Sequence, residues 1–220
     1  MLALGLSIAD GLELLAKNVA GAADLSMQTD VLSGMLLGLE GLRHVPMPKT
    51  WPGAYARIHE QGDTATRRNA IRLALIFRDQ DAIKSLRKLA LDSRGEAEHR
   101  SSAIDALVAS KIDRFGDSLL RLLDDADVRR SVLRGLSWYN APNTAGQIVA
   151  RYGAFSSEER QLALQTLSTR VAWGRVVMEA MRQNKIPAGD VTALTARQLQ
   201  SLGDESFEIV DERASAILLE

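Results

Sequence analysis

The segment RRSVLRGL, residues 129–136, begins with an arginine and continues with apolar residues at helical spacing, because Val132, Leu133 and Leu136 follow Arg129 at i+3, i+4 and i+7. The same order of residue types occurs three more times, at residues 67–74 (RRNAIRLA), 100–107 (RSSAIDAL) and 160–167 (RQLALQTL). The four leading arginines are 33, 29 and 31 residues apart. Recurrence at a period of roughly 20–50 residues is typical of repeat proteins. The segment therefore predicts a set of stacked helical units.

Each arginine segment predicts the first helix of a two-helix hairpin, and a shorter partner helix follows it. The partner helices are expected at residues 81–91, 115–123, 144–152 and 173–182. Clusters of turn-forming residues separate the units, and no strand-like alternation of useful length occurs. This pattern resembles HEAT repeats, in which a Val-Arg or similar pair opens the first helix, and Val128-Arg129 matches that pair directly. The sequence thus predicts an all-α fold, a right-handed α-solenoid of HEAT-like helical hairpins.

The predicted solenoid has three sections and forms one continuous domain. Residues 1–62 are expected to form irregular N-terminal helices that pack on the array, residues 63–184 four HEAT-like repeats, and residues 185–220 C-terminal capping helices. In the first section Ile8, Leu12, Leu15 and Val19 share one helical face, and Trp51 is the expected anchor of a proline-rich connection.

The glycines of the second helix, Gly34 and Gly38, favour close helix packing over a phosphate-binding loop.

The repeated arginine has a predicted structural role. It lies just inside the start of each first helix, where its side chain can reach the carbonyls of the preceding turn. It can also reach an acidic residue of the adjacent unit and form a ladder between repeats. We therefore do not count these arginines as a ligand site.

The composition excludes several classes of function. The chain has 220 residues and no cysteine, so disulfides, thiolate metal sites and cysteine nucleophiles are excluded within it. Its 27 basic and 28 acidic side chains give a net charge of -1, which makes a nucleic-acid partner unexpected. No apolar run approaches the length of a membrane span. The apolar start, residues 2–9, lacks a preceding basic segment, so no signal peptide is predicted; it is expected to be the buried face of a first helix or the cut end of a longer chain.

The C-terminal part resembles a known family. The stretch MRQNKIPAGDV (residues 181–191) is followed by Arg197 and Leu199, then by Asp204, Ile209 and Arg213. This order is similar to the segment that closes the HEAT-like section of the planctomycete-type membrane-bound dehydrogenase, haem-binding proteins, and the resemblance covers about residues 25–220. Those proteins join a sugar-dehydrogenase-like β-propeller, a helical repeat section and a c-type cytochrome module with Cys-x-x-Cys-His.

The resemblance implies that this chain is the connecting solenoid, a fragment of a larger protein that is exported or periplasmic. The chain contains no Cys-x-x-Cys-His and no propeller strands, so none of that family's catalytic or haem-binding residues is carried over.

No catalytic, metal or cofactor site is predicted. The three histidines, His44, His59 and His99, are scattered over different elements. The carboxylate clusters at residues 124–127 and 158–159 lie in turns at helix starts, where helix capping and the helix dipole explain them.

The candidate contact residues are basic side chains on the second helices, which line the concave face in HEAT arrays. They are Lys84, Arg87, Lys88, Arg121, Arg151 and Arg175. If they align, they form a basic stripe for an acidic partner; the alternative is that they are solvated charges, several paired with Asp81, Asp117 or Glu179. The aromatic side chains of Trp138, Tyr139 and Trp173 are expected to be wedges between repeats, with exposed stacking platforms as the alternative.

The sequence therefore predicts a non-enzymatic scaffold that binds a protein partner or the neighbouring domains of its own polypeptide. Its family resemblance narrows this to a spacer between a dehydrogenase-like propeller and a cytochrome module. The alternative is a nucleic-acid-binding HEAT-like protein similar to the alkylpurine DNA glycosylases. That function needs a continuous basic groove with exposed aromatic side chains and a carboxylate.

Overall fold

The computed structural model describes residues 7–22, 24–42 and 45–203. These residues form twelve α-helices and two 3₁₀ turns, and they contain no strand. The helices are α1 (Ile8–Gly21), α2 (Leu25–Gly38), α3 (Trp51–Gln61), α4 (Thr64–Ile76), α5 (Gln80–Leu91), α6 (Ala97–Ala109), α7 (Gly116–Leu122), α8 (Arg129–Leu136), α9 (Thr144–Arg151), α10 (Ser157–Leu167), α11 (Val171–Arg182) and α12 (Ala193–Gln200). The 3₁₀ turns are Tyr152–Ala154 and Ala188–Asp190. The predicted all-α class is confirmed.

A helix is present at each predicted position, but the partner helix is shorter than the arginine helix in only two of the four cases. The four arginine segments lie in α4, α6, α8 and α10, and the four partner helices are α5, α7, α9 and α11. Each observed boundary is within a few residues of the predicted one, because apolar periodicity and capping residues are local signals. The final residues of the family-like segment, Asp204, Ile209 and Arg213, lie outside the described part of the chain.

The chain divides into two compact units, Met1–Leu89 and Ala90–Glu220. The three-section division at residues 62 and 184 stays a prediction.

The first unit is built from two helix pairs. Helix α1 packs on α2 and α3, and α4 packs on α2 and α3. Trp51 is fully buried at the start of α3, where its ring meets the edge of Phe77 at a centroid distance of 5.0 Å. The proline-rich connection is fastened to α1, since the backbone N–H of Lys49 donates to Glu13 Oε2 at 2.7 Å. Trp51 is therefore the anchor that the sequence predicts.

Two expectations for the first unit are wrong. Ile8 is 63% exposed, although Leu12 and Val19 on the same predicted face are buried. Gly34 and Gly38 do not serve close helix packing, because a Cβ atom at either position would meet no atom within 4 Å. A glycine is required instead at Gly41, whose φ of +79° lies in the left-handed region.

In the second unit, three of the arginine helices pack together. Helix α8 contacts α6, α7 and α10, while α9 packs on α11. Thr166 of α10 donates its hydroxyl to the carbonyl of Leu133 in α8 at 2.8 Å. Gly135 allows α8 to approach its neighbours, because a Cβ there would lie 2.8 Å from Val108 Cγ2.

Three helices end in the same way without a glycine. Arg78, Lys111 and Asn184 adopt positive φ values of 56°, 48° and 55° directly after the C-caps of α4, α6 and α11. In each case the next backbone N–H bonds to a carbonyl five residues earlier, as Ile112 does to Leu107 at 3.1 Å. This is the Schellman arrangement, which stops the helix and fixes the direction of the following chain.

Candidate functional site

Two of the repeated arginines, Arg129 and Arg160, bind both the turn before their own helix and an acidic residue further along the chain. The Arg129 guanidinium donates to the carbonyls of Leu123 (2.7 Å) and Asp124 (3.1 Å). It also donates to both carboxylate oxygens of Glu159, at 3.1 and 3.2 Å. The Arg129 and Glu159 side chains are only 10% and 8% exposed, so this pair is buried. It ties the start of α8 to the start of α10.

Arg100 and Arg160 also pair with an acidic residue further along the chain. Arg100 is fully buried and forms an ion pair with Asp125. Arg160 donates to the carbonyl of Phe155 at 3.1 Å and pairs with Asp190 at 3.5 Å. The predicted pairing with an acidic residue is thus confirmed at Arg100, Arg129 and Arg160, whereas Arg67 donates to the carbonyl of Glu60 in α3 at 3.2 Å.

The acidic partner of each of these three arginines makes a second contact, which for Asp125 is with the backbone N–H of Asp127 at 3.1 Å. Ser156 and Glu159 form a capping box at α10, in which Glu159 accepts from the backbone N–H of Ser156 at 2.8 Å. Asp190 accepts a hydrogen bond from the Tyr152 hydroxyl at 3.0 Å. One carboxylate therefore neutralises an arginine and fixes a helix start or turn at the same time. The sequence signal for these partners was an acid 25 or 30 residues after each arginine, but several acids stand near each such position.

The six candidate contact residues lie on the predicted partner helices. Lys84, Arg87 and Lys88 are on α5, and Arg121, Arg151 and Arg175 are on α7, α9 and α11. The side chains of Lys84, Lys88, Arg121 and Arg175 are exposed, whereas Arg87 and Arg151 are half-buried. Their alignment into one stripe stays a prediction.

Arg151 is held in place by Asp124. Its Nε and Nη2 donate to the two carboxylate oxygens of Asp124 at 2.7 and 3.0 Å, and its Nη1 donates to the side chain of Gln147 at 2.6 Å. The hydrogen bond between the two side chains lowers the pKa of Asp124 and raises the pKa of Arg151. The charge of Arg151 is therefore matched within the chain by a bidentate partner. Glu179, a predicted partner of the basic residues, bonds to Arg182 at 3.1 Å.

The described histidines are on the surface. His99 pairs with Glu96 at 3.2 Å on an exposed part of α6, and His59 is exposed on α3. His44 lies outside the described residues. Over residues 7–22, 24–42 and 45–203, no group of three or more His, Cys, Asp or Glu side chains is arranged to hold a metal ion. Within the same residues, no helix combines the length and apolar character needed to cross a membrane.

One aromatic side chain is exposed against expectation. Trp173 is buried and Tyr139 is half-buried, as wedges would be, but Trp138 is 61% exposed. Trp138 lies two residues after the end of α8. Lys111 Nζ lies 4.8 Å from the centroid of its ring. The helical periodicity that predicts burial for Trp138 does not extend past Leu136, so the wedge interpretation is wrong at this position.

A groove lies beside Trp138, between the C-terminal ends of α6 and α8. It has a volume of about 260 Å³ and is lined by Asp105, Val108, Ala109, Lys111, Arg134, Gly135 and Trp138. We call it the Trp138 groove. A larger cavity of about 470 Å³ borders α2 and α4 in the first unit, and its lining includes Leu37, Asn69 and Arg72.

Comparison of the chain with protein-family models, curated proteins and solved structures gives no match.

Proposed function

We propose that the helical hairpins stack as a HEAT-like α-solenoid and that the chain acts as a non-enzymatic scaffold. The observation that carries this proposal is the series of arginine links between successive predicted repeats. Arg100, Arg129 and Arg160 each pair with a carboxylate of a later element, and Arg129 and Arg160 also bind a carbonyl of the turn before their own helix. In a repeat array, nearest-neighbour contacts of this kind determine the rotation and spacing from one unit to the next.

Buried and half-buried ion pairs give the array a defined geometry, but their formation removes the charged groups from water. Each buried charge loses hydration, and the pair recovers that loss only through well-formed contacts. The Arg129–Glu159 pair satisfies this condition, because four hydrogen bonds use all three guanidinium nitrogens of Arg129 and Glu159 accepts a fifth from the backbone of Ser156. A spacer that holds two other domains at a constant distance needs the rigidity that such ion pairs provide.

The resemblance to the membrane-bound dehydrogenase proteins supports a more specific proposal. In this proposal the solenoid joins a dehydrogenase-like propeller to a c-type cytochrome module, and its partners are neighbouring domains of the same polypeptide in an exported or periplasmic protein. Its contribution is to keep the donor and acceptor at a distance and orientation that allow electron transfer. The first test is whether the coding sequence next to this chain contains Cys-x-x-Cys-His.

The functional test uses the full-length protein and the variant Arg129→Met, which breaks one buried link. Substrate-driven haem reduction is followed by absorbance, and propeller activity is followed separately with a soluble dye as electron acceptor. We expect haem reduction to slow by about tenfold or more, because misplacement of reacting groups is costly. Dye reduction should stay unchanged. The matched control is Arg130→Met, since Arg130 and Glu158 are 60% and 70% exposed and lie next to the buried pair.

Equal haem reduction in a folded Arg129→Met protein would contradict the spacer proposal. The nucleic-acid alternative has its own outcome: duplex DNA binding at low ionic strength that weakens steeply with salt, as phosphate contacts require. With a net charge of -1 we expect no such binding.

A further inference from the structure

We propose that the Trp138 groove is a docking site for an acidic peptide segment, one that presents an apolar side chain next to carboxylates. This inference rests on the scaffold function proposed above and assigns a contact surface that the basic residues of the second helices do not include. It lies within the second unit, between two first helices.

The base of the groove is apolar and closed. Val108 is 7% exposed, and Gly135 lies against it so closely that a Cβ would come within 2.8 Å of Val108 Cγ2. Contact between α6 and α8 therefore forms a floor without a gap. A volume of about 260 Å³ is suited to one large apolar side chain rather than to a whole cofactor.

The wall of the groove is Trp138, which presents an exposed indole. Of the three tryptophans, Trp51 and Trp173 are buried, and Trp138 alone is exposed. Tryptophan is enriched among the side chains that dominate binding energy at protein interfaces. Lys111 lies over its ring at 4.8 Å and restricts its position.

The rim carries an excess of positive charge. Lys111 and Arg134 are cations, and Asp105 is the one carboxylate among the residues that line the groove. Arg170 adds a further cation close by, because it donates to the carbonyls of Ser137 and Tyr139 on either side of Trp138. Complementary charge in the partner would therefore be negative.

The rim also offers groups that a peptide backbone can use. Arg134 and Asp105 form an ion pair at 3.4 Å, so a hydrogen-bond donor and an acceptor stand side by side and the positive excess of the rim lies at Lys111. A peptide backbone presents an N–H and a carbonyl that can bond to such a pair of groups.

The position of Lys111 is determined by the backbone. Lys111 has a φ of 48° at the Schellman end of α6, and its N–H bonds to the carbonyl of Val108 at 2.9 Å. This turn directs the residue toward the end of α8. The cation and the indole are consequently pre-positioned, which lowers the entropy lost on binding.

The test uses a fluorescein-labelled peptide, Glu-Phe-Glu-Asp-Leu-Glu, and its basic counterpart Lys-Phe-Lys-Asn-Leu-Lys, with fluorescence anisotropy as the measurement. We expect the acidic peptide to bind with a Kd below about 1 mM and the basic peptide to bind at least tenfold more weakly. Trp138→Ala and Lys111→Glu should each weaken binding of the acidic peptide by about tenfold or more. Lys185→Glu, a charge reversal at an exposed site away from the groove, is the matched control and should not change it.

Several outcomes would overturn the inference: no binding of the acidic peptide at 1 mM protein, equal binding of both peptides, or undiminished binding of the acidic peptide by folded Trp138→Ala protein. A loss caused by Lys88→Glu and not by Lys111→Glu would place docking on the second helices instead. Preferential binding of an oligothymidylate or of phosphatidylglycerol vesicles at the groove would also refute it. Circular dichroism of each variant shows that it is folded. The outcomes are separable from the spacer test, because haem reduction depends on Arg129 and peptide binding on Trp138.

Discussion

At the residue scale, two neighbouring arginines of α8 differ entirely in environment. Arg129 is buried with Glu159, while Arg130 is paired with Glu158 on the surface. The pairs join the same two helices and have the same charges. Burial therefore decides their energetic weight, because water screens the exposed pair and not the buried one.

We predict that Arg129→Met lowers the free energy of unfolding by about 3–5 kcal/mol, since it leaves Glu159 buried without its cation and two turn carbonyls without their donor. Arg130→Met should change stability by less than about 1 kcal/mol. Urea denaturation followed by circular dichroism measures both. Similar losses in the two variants would show that the burial of Arg129 carries no energetic weight.

A second residue-scale prediction concerns alkaline pH. Burial, followed by the hydrogen bond to Asp190, raises the pKa of Tyr152 above its ordinary value of 10.0. In the pH range between the pKa of Tyr152 in the unfolded chain and its raised pKa in the folded protein, the unfolded chain has lost the proton that the folded protein retains. Stability from this group is therefore complete below about pH 10 and declines as the pH rises further. We expect Tyr152→Phe to flatten the decline in unfolding free energy between pH 10 and pH 11.

Urea titrations at several pH values measure that slope. Tyr55, whose pKa is also raised by burial, should leave a residual decline in the variant. An unchanged slope in Tyr152→Phe would mean that the tyrosine proton is not linked to folding.

At the element scale, helix α10 begins with a complete capping box. Ser156 accepts the N–H of Glu159 at 3.3 Å, and Glu159 accepts the N–H of Ser156 at 2.8 Å. Because Glu159 is also the partner of Arg129, the start of α10 and the link to α8 depend on the same carboxylate. The N-terminal cap of α10 and its ion pair with α8 therefore share the Glu159 carboxylate.

We predict that Ser156→Ala lowers the unfolding free energy by about 1 kcal/mol, through the loss of one cap acceptor. Ser157→Ala is the matched control, since Ser157 is the exposed first residue of the helix and makes no capping bond. Thermal denaturation compares the two proteins. An equal shift in Tm would show that the difference comes from helix propensity and not from the cap.

At the scale of the whole molecule, the chain has two compact units, each with its own packed helices. In the first, Trp51 belongs to one buried cluster with Leu32, Ile58 and Phe77. Repeat proteins lose structure locally when one part of the array is weakened, because each unit contacts only its neighbours.

We predict that Trp51→Ala accelerates amide hydrogen exchange in α1–α4 by tenfold or more, because loss of a buried tryptophan costs about 3–5 kcal/mol. Helices α8 and α10 should retain most of their protection. Hydrogen exchange measured by mass spectrometry resolves the two sets of helices. Uniform acceleration over the chain would show that the two units unfold as one.

The all-α class, the order and approximate bounds of the helices, and the structural role of Arg100, Arg129 and Arg160 could be predicted from the sequence. These follow from apolar periodicity, caps and turns, which act over a few residues and do not depend on the rest of the chain. The anchor function of Trp51 could be predicted in this way as well.

Three features depend on the tertiary structure: which carboxylate meets which arginine, the open space at Gly34 and Gly38, and the exposure of Trp138 beside Lys111. These features could not be predicted, because they depend on the distance between helices far apart in sequence. A shift of one turn in that packing would exchange Glu159 for another acid, or bury Trp138, without altering any local pattern. The Trp138 groove is a product of packing for the same reason, since its floor forms only where α6 and α8 touch.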